Sequence, residues 1–181
     1  MPIYSIYLIS KSGSLLYQRD FKIVGSPIAP QDANDYLIIA SNLHGIHTIA
    51  AKLTPPAALE ERRNATELAD WSSTASSAST ANTTTENDFE QINTNSNKTG
   101  LRSIYTDVFN MHIHQMVTGV KIILITSPDV RENHVAQFQN QLYKLYSHYV
   151  MKNPFYTLDM PIRISLFDDK IANCTLAYNI K

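Results

Sequence analysis

Apolar residues recur at steps of three and four in the second half of the chain, from Val135 to Tyr149. This spacing places them on one face of an amphipathic helix, which predicts that Tyr149 is a core residue. We expect the helix to run to Lys152, because Pro154 pushes the residue before it out of the α region. The apolar stripe consists of Val135, Phe138, Leu142, Leu145 and Tyr149.

A second helical pattern lies nearer the N-terminus. It should begin near Gln31 or Asp32 and end before Pro55-Pro56, since two prolines cannot continue a helix. The apolar stripe that we expect to face the core consists of Tyr36, Ile39, Leu43, Ile46, Ala50 and Leu53.

Five further segments have the composition of strands, and a final short helix is predicted from Leu166 to Tyr178. Tight turns at Gly13 and Gly119 join two pairs of these strands, because glycine takes the positive φ that such turns need. The predicted strands are 3–10, 14–21, 101–108, 109–117 and 120–126.

The resulting order, β-β-α-β-β-β-α-α, predicts an α+β fold built on one mixed five-stranded sheet. The first helix should cover one face of the sheet and the last two helices the other. Residues 3–10 and 120–125 are apolar on both sides, as strands in the middle of such a sandwich must be.

Residues 54–100 differ in kind from the rest of the chain. From 72 to 99 the sequence is almost wholly Ser, Thr, Asn and Ala. Such a segment cannot bury enough apolar surface to offset its ordering entropy, so we expect it to be disordered. Structured sequence resumes after it, which predicts a single domain over 1–181 with a low-complexity insertion at 54–100.

Composition limits the classes of function. The 181 residues include 44 % hydrophobic positions and carry a net charge of −1, which gives no electrostatic reason to bind nucleic acid or an anionic membrane. Cys174 is the only cysteine, and the N-terminus lacks the basic start of a signal peptide, so we expect a reducing, cytoplasmic compartment. No apolar run approaches the ~20 residues that span a bilayer, which predicts no direct membrane insertion.

The sequence offers little for catalysis or cofactor binding. None of its five glycines lies in a phosphate-binding pattern, so we expect no bound nucleotide or other cofactor. His112 and His114 share one side of a strand, and His44 and His47 are three apart on a helix. Either pair would need a third ligand to hold a metal ion, and none lies at a suggestive spacing. The interpretation that we favour for His112 and His114 is a half-polar strand face.

Small residues lie opposite the predicted core stripe of the first helix, at Ser41, Gly45 and Thr48. A glycine in the middle of a helix lowers helix stability by about 1 kcal/mol relative to alanine, so we look for a function that requires it. We interpret this row as a face that another protein approaches closely, with Leu37 and Ile38 adding apolar area. The bland alternative is a neutral glycine on a solvated face.

The segment after the long helix, residues 153–163, has neither helical nor strand periodicity. It holds two prolines and no glycine, and we expect it to be ordered because its apolar side chains need a surface to lie on. We treat it as the second candidate for partner binding. The candidate residues are Asn153, Pro154, Phe155, Tyr156, Met160, Pro161 and Arg163.

Six short stretches together match one known family. They are ISKSGSLLYQ at 9–18, TDVF at 106–109, TGVK at 118–121, KNPFY at 152–156, MPIR at 160–163 and LFD at 166–168. These stretches resemble synbindin, the family of small subunits of the TRAPP vesicle-tethering complex. The resemblance covers nearly everything except 54–99, and the first helix looks like the fungal branch in particular.

The resemblance implies a longin-like (profilin-like) fold and a role in ER-to-Golgi transport. Synbindin-like subunits pair with a second longin-like subunit, and the TRAPP core is a guanine-nucleotide exchange factor for a Rab GTPase. This chain would contribute to the GTPase-binding surface without catalytic residues of its own. It would be cytoplasmic and peripheral on early Golgi and ER-to-Golgi membranes.

Two other classes of function stay open at this point. A longin-type adaptor small chain or a SNARE regulatory domain would share the fold but bind other partners, which co-purification would reveal. A small metal-dependent enzyme using His112 and His114 would show bound metal after purification.

Overall fold

A computed structural model describes residues 2–21, 32–55 and 99–179. The predicted insertion at 54–100 lies almost entirely outside the described residues, so its disorder and the single-domain boundaries stay predictions.

The described elements follow the predicted order. Each strand is shorter than its apolar run, and the last helix, at 15 residues, is longer than expected. The elements are β1 (Ile3–Ile9), β2 (Leu15–Asp20), α1 (Ala33–Leu53), β3 (Ser103–Tyr105), β4 (Asn110–Gln115), β5 (Lys121–Thr126), α2 (Glu132–Leu145), a π-helical turn (Tyr146–Met151) and α3 (Ser165–Asn179).

The five strands form one sheet in the order β2-β1-β5-β4-β3. Every pairing is antiparallel, so the prediction of a mixed sheet is wrong on this point. Helix α1 carries the chain from one edge of the sheet to the other. The periodicity of apolar residues cannot predict the direction of the strand that follows so long a connection. The central pair has Ile6 opposite Leu124, with both side chains buried.

Each face of the sheet has its own hydrophobic core. As predicted, α1 covers one face, and α2, the π-helical turn and α3 cover the other. Strands β1 and β5 send alternate side chains into both cores: Ile6 and Leu124 face α2 and α3, while Tyr7 and Ile123 face α1. This explains why both strands read as continuous apolar runs.

The long helix buries a different set of residues from the predicted one in its second half. It begins as expected, but Tyr146 and Val150 occupy the core, while Leu145 and Tyr149 are only half-buried. The cause is the π-helical turn, whose i→i+5 bonding rotates the side chains relative to an α-helix. The buried residues of the whole element are Val135, Phe138, Gln139, Leu142, Tyr146 and Val150.

Candidate partner-binding surfaces

The inner face of α1 is narrower than its sequence suggests. Its buried residues are Tyr36, Ala40, Leu43 and His47. Two predicted members of the core stripe are wrong, since Ile46 and Leu53 are 48 % and 75 % exposed. Apolar residues occur nearly all round this helix, so periodicity alone could not decide which of them faces the sheet.

The opposite side of α1, here called the outer face, carries Ile38, Gly45, Ile46, Ile49 and Leu53. The four large side chains are between 48 % and 75 % exposed, and helical spacing brings them side by side. A contiguous exposed patch of this kind on a folded domain is typical of a binding surface.

The predicted small residues lie on or beside this outer face. Among the described residues, a Cβ added to Gly45 would meet nothing within 4 Å, so packing against them does not require the glycine. The hydroxyls of Ser41 and Thr48 donate to main-chain carbonyls of the preceding turn, Ile38 O and His44 O, each across 2.9 Å. Both hydroxyls therefore point back onto the helix. Their side chains project little from the helix at this point.

The C-terminal half of α1 rests on a polar cluster in which His44 and His47 contact Lys121 and Gln115, two partners that the sequence did not indicate. His47 Nε2 lies 2.8 Å from Gln115 Oε1, and its Nδ1 lies 3.3 Å from Leu101 O. Beside it, Lys121 Nζ lies 3.4 Å from His44 Nδ1. Burial lowers the pKa of Lys121 and of both histidines. The sequence feature that could have indicated this polar cluster is Lys121, a lysine at the start of an otherwise apolar strand.

The segment 153–163 is held by local turns. Tyr156 N–H donates to Asn153 O across 3.1 Å, and the Tyr156 hydroxyl donates to Met160 O across 2.9 Å. Asp159 takes a left-handed conformation, with φ of 63°, in the turn between them. Ile162 is the buried residue that anchors the far end of the segment to the core.

The expected reason for order in this segment is correct only in part, since Tyr156 and Ile162 pack on the core but the other large apolar side chains do not. Phe155, Leu158 and Met160 do not lie on the chain's own surface, since they are 93 %, 66 % and 57 % exposed. The turns hold the main chain in place without them. A phenylalanine that is almost fully exposed on an ordered turn is a candidate anchor for another protein.

The structure brings the two candidate surfaces together only in part. Pro161 and Arg163 share a groove of about 700 Å³ with Ala33 and Leu37, at the N-terminal end of α1. Gly45 lies further along the helix and does not line that groove. The two surfaces are therefore neighbouring sites and not one continuous site.

The two strand histidines are buried in the sheet, on the face that α2 covers. His112 and His114 are 5 % and 3 % exposed and share this side with Asn110, so the half-polar face is present but buried. Burial lowers the pKa of His114 to about 4, and it also lowers that of His112, whose Nδ1 lies 3.3 Å from Ser103 Oγ. Within the described ranges, no three His, Cys, Asp or Glu side chains are grouped as metal ligands would be.

No helix in the described part of the chain combines the length and apolar character that crossing a membrane requires.

A five-stranded antiparallel sheet with one helix on one face and two on the other is the longin-like arrangement. The profile of the Sybindin-like family matches residues 3–176, and the chain belongs to that family. This confirms the resemblance drawn from the sequence.

The chain is similar to proteins named trafficking protein particle complex subunit 4. It is 28 % identical to the one from Dictyostelium discoideum over 171 residues, which cover 94 % of each chain. The relatives from Homo sapiens and Mus musculus are 35 % identical over 81 residues, 45 % of this chain and 36 % of theirs. The chain thus matches the Dictyostelium protein over nearly all of its length and the mammalian proteins over little more than a third of theirs.

Proposed function

We propose that this chain is a subunit of a TRAPP-type tethering complex that acts in ER-to-Golgi transport. The observation that carries the proposal is the family match over nearly the whole chain, together with a relative of that name over 94 % of both lengths. The partners would be the other TRAPP subunits, among them a second longin-like subunit, and a Rab GTPase. The chain would work in the cytoplasm, peripherally on early Golgi and ER-to-Golgi membranes.

In this proposal the outer face of α1 is the first contact surface. The exposed apolar side chains of Ile38, Ile49 and Leu53 supply area that association would remove from water. Gly45, with Ser41 and Thr48 beside it, lets the main chain of another protein come close. The contact would be with the second longin-like subunit or with the GTPase.

The segment 153–163 is the second contact surface. Phe155 is the principal anchor, because an aromatic side chain that loses 93 % exposure on binding buries a large area. Met160 and Leu158 would extend the same contact, and Arg163 gives its far end a positive charge. The turns that order the segment reduce the entropy lost on binding.

The chain would take part in nucleotide exchange by position and not by covalent chemistry. An exchange surface acts by remodelling the nucleotide pocket of the GTPase, which needs shape and charge in the right place. We therefore assign no catalytic residue and no cofactor to this chain, and we expect no role in nucleic-acid binding.

Two measurements test the proposal. The tagged chain should co-purify with the other TRAPP subunits from cells, as identified by mass spectrometry. An assembly reconstituted with the chain should release GDP from its Rab GTPase faster than one without it. Co-purification with large adaptor subunits, and none from TRAPP, would overturn the proposal.

A further inference from the structure

The outer edge of β2 is only partly used by the chain itself. β2 lies at one end of the sheet, so one of its sides has no strand neighbour among the described residues. The N–H of Ile162 donates to Leu16 O on that side across 2.8 Å. The chain then enters α3 at Ser165, and within the described residues no second main-chain bond joins this segment to β2.

Two residues of β2 continue the direction that Leu16 sets. In an extended strand the main-chain groups of every second residue point to the same side, so Gln18 and Asp20 direct theirs outward with Leu16. Phe21 N–H donates to Tyr4 O of β1 across 2.8 Å. The main-chain groups of the odd-numbered residues in this strand therefore point towards β1. Among the described residues nothing bonds the outward main-chain groups of Gln18 and Asp20.

The groove of about 700 Å³ runs along this edge and has two unlike walls. On the α1 side it is lined by Ala33 and by Leu37, whose side chain is 55 % exposed. On the α3 side it is lined by the polar side chains of Arg163, Ser165 and Asp168. An occupant therefore meets apolar surface on one side and polar groups on the other.

One charge in the groove has no counter-charge among the residues that the structure describes. Asp168 lies 3.9 Å from Arg19, whose guanidinium also donates to the Asp168 main-chain oxygen across 2.8 Å. Asp20 accepts a hydrogen bond from the Tyr36 hydroxyl. Arg163 is exposed and makes no ion pair with any described residue, so the groove has an uncompensated positive charge at its rim.

From these features we infer that the groove receives an extended segment of another subunit, added to β2 as a strand. Main-chain bonds to Gln18 and Asp20 supply affinity, and alternate side chains of the segment supply specificity. An apolar side chain of the segment packs against Leu37, and a carboxylate on its other side pairs with Arg163. The inference rests on the proposed function, since the assembly provides the partner.

Hydrogen exchange of single amides tests the strand directly. The full-length chain is compared alone and bound to the remaining TRAPP subunits, prepared without it. The amides of Gln18 and Asp20 should exchange at least about tenfold more slowly in the assembly, because strand addition bonds them. Slow exchange already present in the isolated chain, or unchanged exchange in the assembly, would overturn the inference.

The opposite edge of the sheet is the internal reference. Ser103 and Tyr105 direct their main-chain groups outward from β3, since Ile113 N–H donates to Arg102 O on the inner side. Slowing at Ser103 and Tyr105 with none at Gln18 and Asp20 would assign the docking edge to β3 and overturn the inference.

Charge reversal tests the predicted carboxylate. Arg163→Glu should weaken binding to the remaining subunits about tenfold or more, since it replaces an attractive pair by a repulsive one. The matched variant Lys170→Glu makes the same charge change on α3 outside the groove and should keep the parent affinity. Equal affinities for the two variants would count against the inference.

The two proposals fail in different ways. If the parent chain does not bind the TRAPP subunits at all, the proposed function is wrong. If it binds them with unchanged exchange at Gln18 and Asp20, only the strand-addition inference is wrong.

Discussion

The two faces of the sheet are covered in different ways. On one face, α2 has no exposed large apolar residue, and Phe138 and Phe167 are fully buried, although the π-helical turn and α3 leave Met151, Leu166 and Leu176 exposed. On the other face, α1 buries a narrow stripe and leaves Ile38, Ile49 and Leu53 outside. A helix with more apolar residues than its own sheet can cover is a helix with a second contact to make. The difference therefore separates the face that stabilises the fold from the face that we assign to partners.

The largest expected effect tests the packing of the two-helix face. Tyr146→Ala should cost about 3–5 kcal/mol of unfolding free energy, because the side chain is 3 % exposed and its removal leaves a cavity. Tyr149→Ala, the same change at a half-buried position three residues on, should cost clearly less. Urea denaturation measures both. If Tyr149→Ala lowers the free energy of unfolding as much as Tyr146→Ala or more, Tyr149 faces the core, as predicted for an uninterrupted α-helix.

Acid should act through the buried histidines. The pKa of His114 is lowered to about 4 by burial, so the folded state stays neutral while the unfolded chain binds a proton below pH 6.5. Its contribution to stability is fully present above pH 6.5 and is lost as the pH falls from 6.5 towards 4. Between pH 7 and pH 5 this amounts to about 2 kcal/mol from His114 alone.

Denaturation at the two pH values checks this loss. The variant His148→Gln, which changes an exposed histidine on the π-helical turn, should show the same loss as the parent. A parent chain equally stable at pH 5 and pH 7 would contradict the burial of His114.

Gly45→Gln tests the outer face of α1. The isolated chain should stay folded and gain up to about 1 kcal/mol of unfolding free energy, because glutamine has the higher helix propensity and a Cβ at this position meets no atom of the described residues within 4 Å. Binding to the TRAPP partners should weaken about ten- to a hundred-fold, since an inserted side chain costs ~1–3 kcal/mol at a close contact.

Titrating the partner subunits into the parent chain and into the variant measures the affinity, and the rate of GDP release is a second readout. Ala177→Gln places the same side chain on an exposed position of α3 and should leave both unchanged. If Gly45→Gln also leaves both unchanged, the glycine is solvated and the partner contact lies elsewhere.

The smallest effect is expected from the insertion. Replacing residues 72–99 by a short Gly/Ser linker should change the free energy of unfolding by less than about 1 kcal/mol, because closure entropy varies slowly with loop length. Thermal unfolding of the two chains compares them. Loss of cooperative unfolding in the shortened chain would show that the insertion packs against the domain.

Periodicity was sufficient for the element order and for which helices share a face of the sheet. It failed where a local feature changes the phase or the direction of an element. The π-helical turn replaced Tyr149 by Val150 in the core, and the hydrogen-bonding pattern that causes this has no signature in apolar spacing. Strand direction across the long β2-to-β3 connection was equally invisible.

The candidate surfaces were only partly predictable. The small residues around Gly45 could be noticed because a mid-helix glycine conflicts with helix propensity. The exposure of Ile46 and Leu53 could not be predicted. In the sequence, an apolar residue that contacts a partner cannot be distinguished from one that packs in the core. The β2 edge was missed for a related reason: Gln18 and Asp20 contribute main-chain groups, and these are the same in every sequence.

The proposed assembly requires a partner on the outer face of α1. Hydroxyl-radical footprinting of the full-length chain, alone and in the TRAPP assembly, measures this directly. The reactivity of Ile49 and Leu53 should fall in the assembly, while that of Leu176, 58 % exposed on α3, should stay near its free value. If the chain is assembled and Ile49 and Leu53 remain as reactive as in the free chain, the outer face of α1 is not a contact surface.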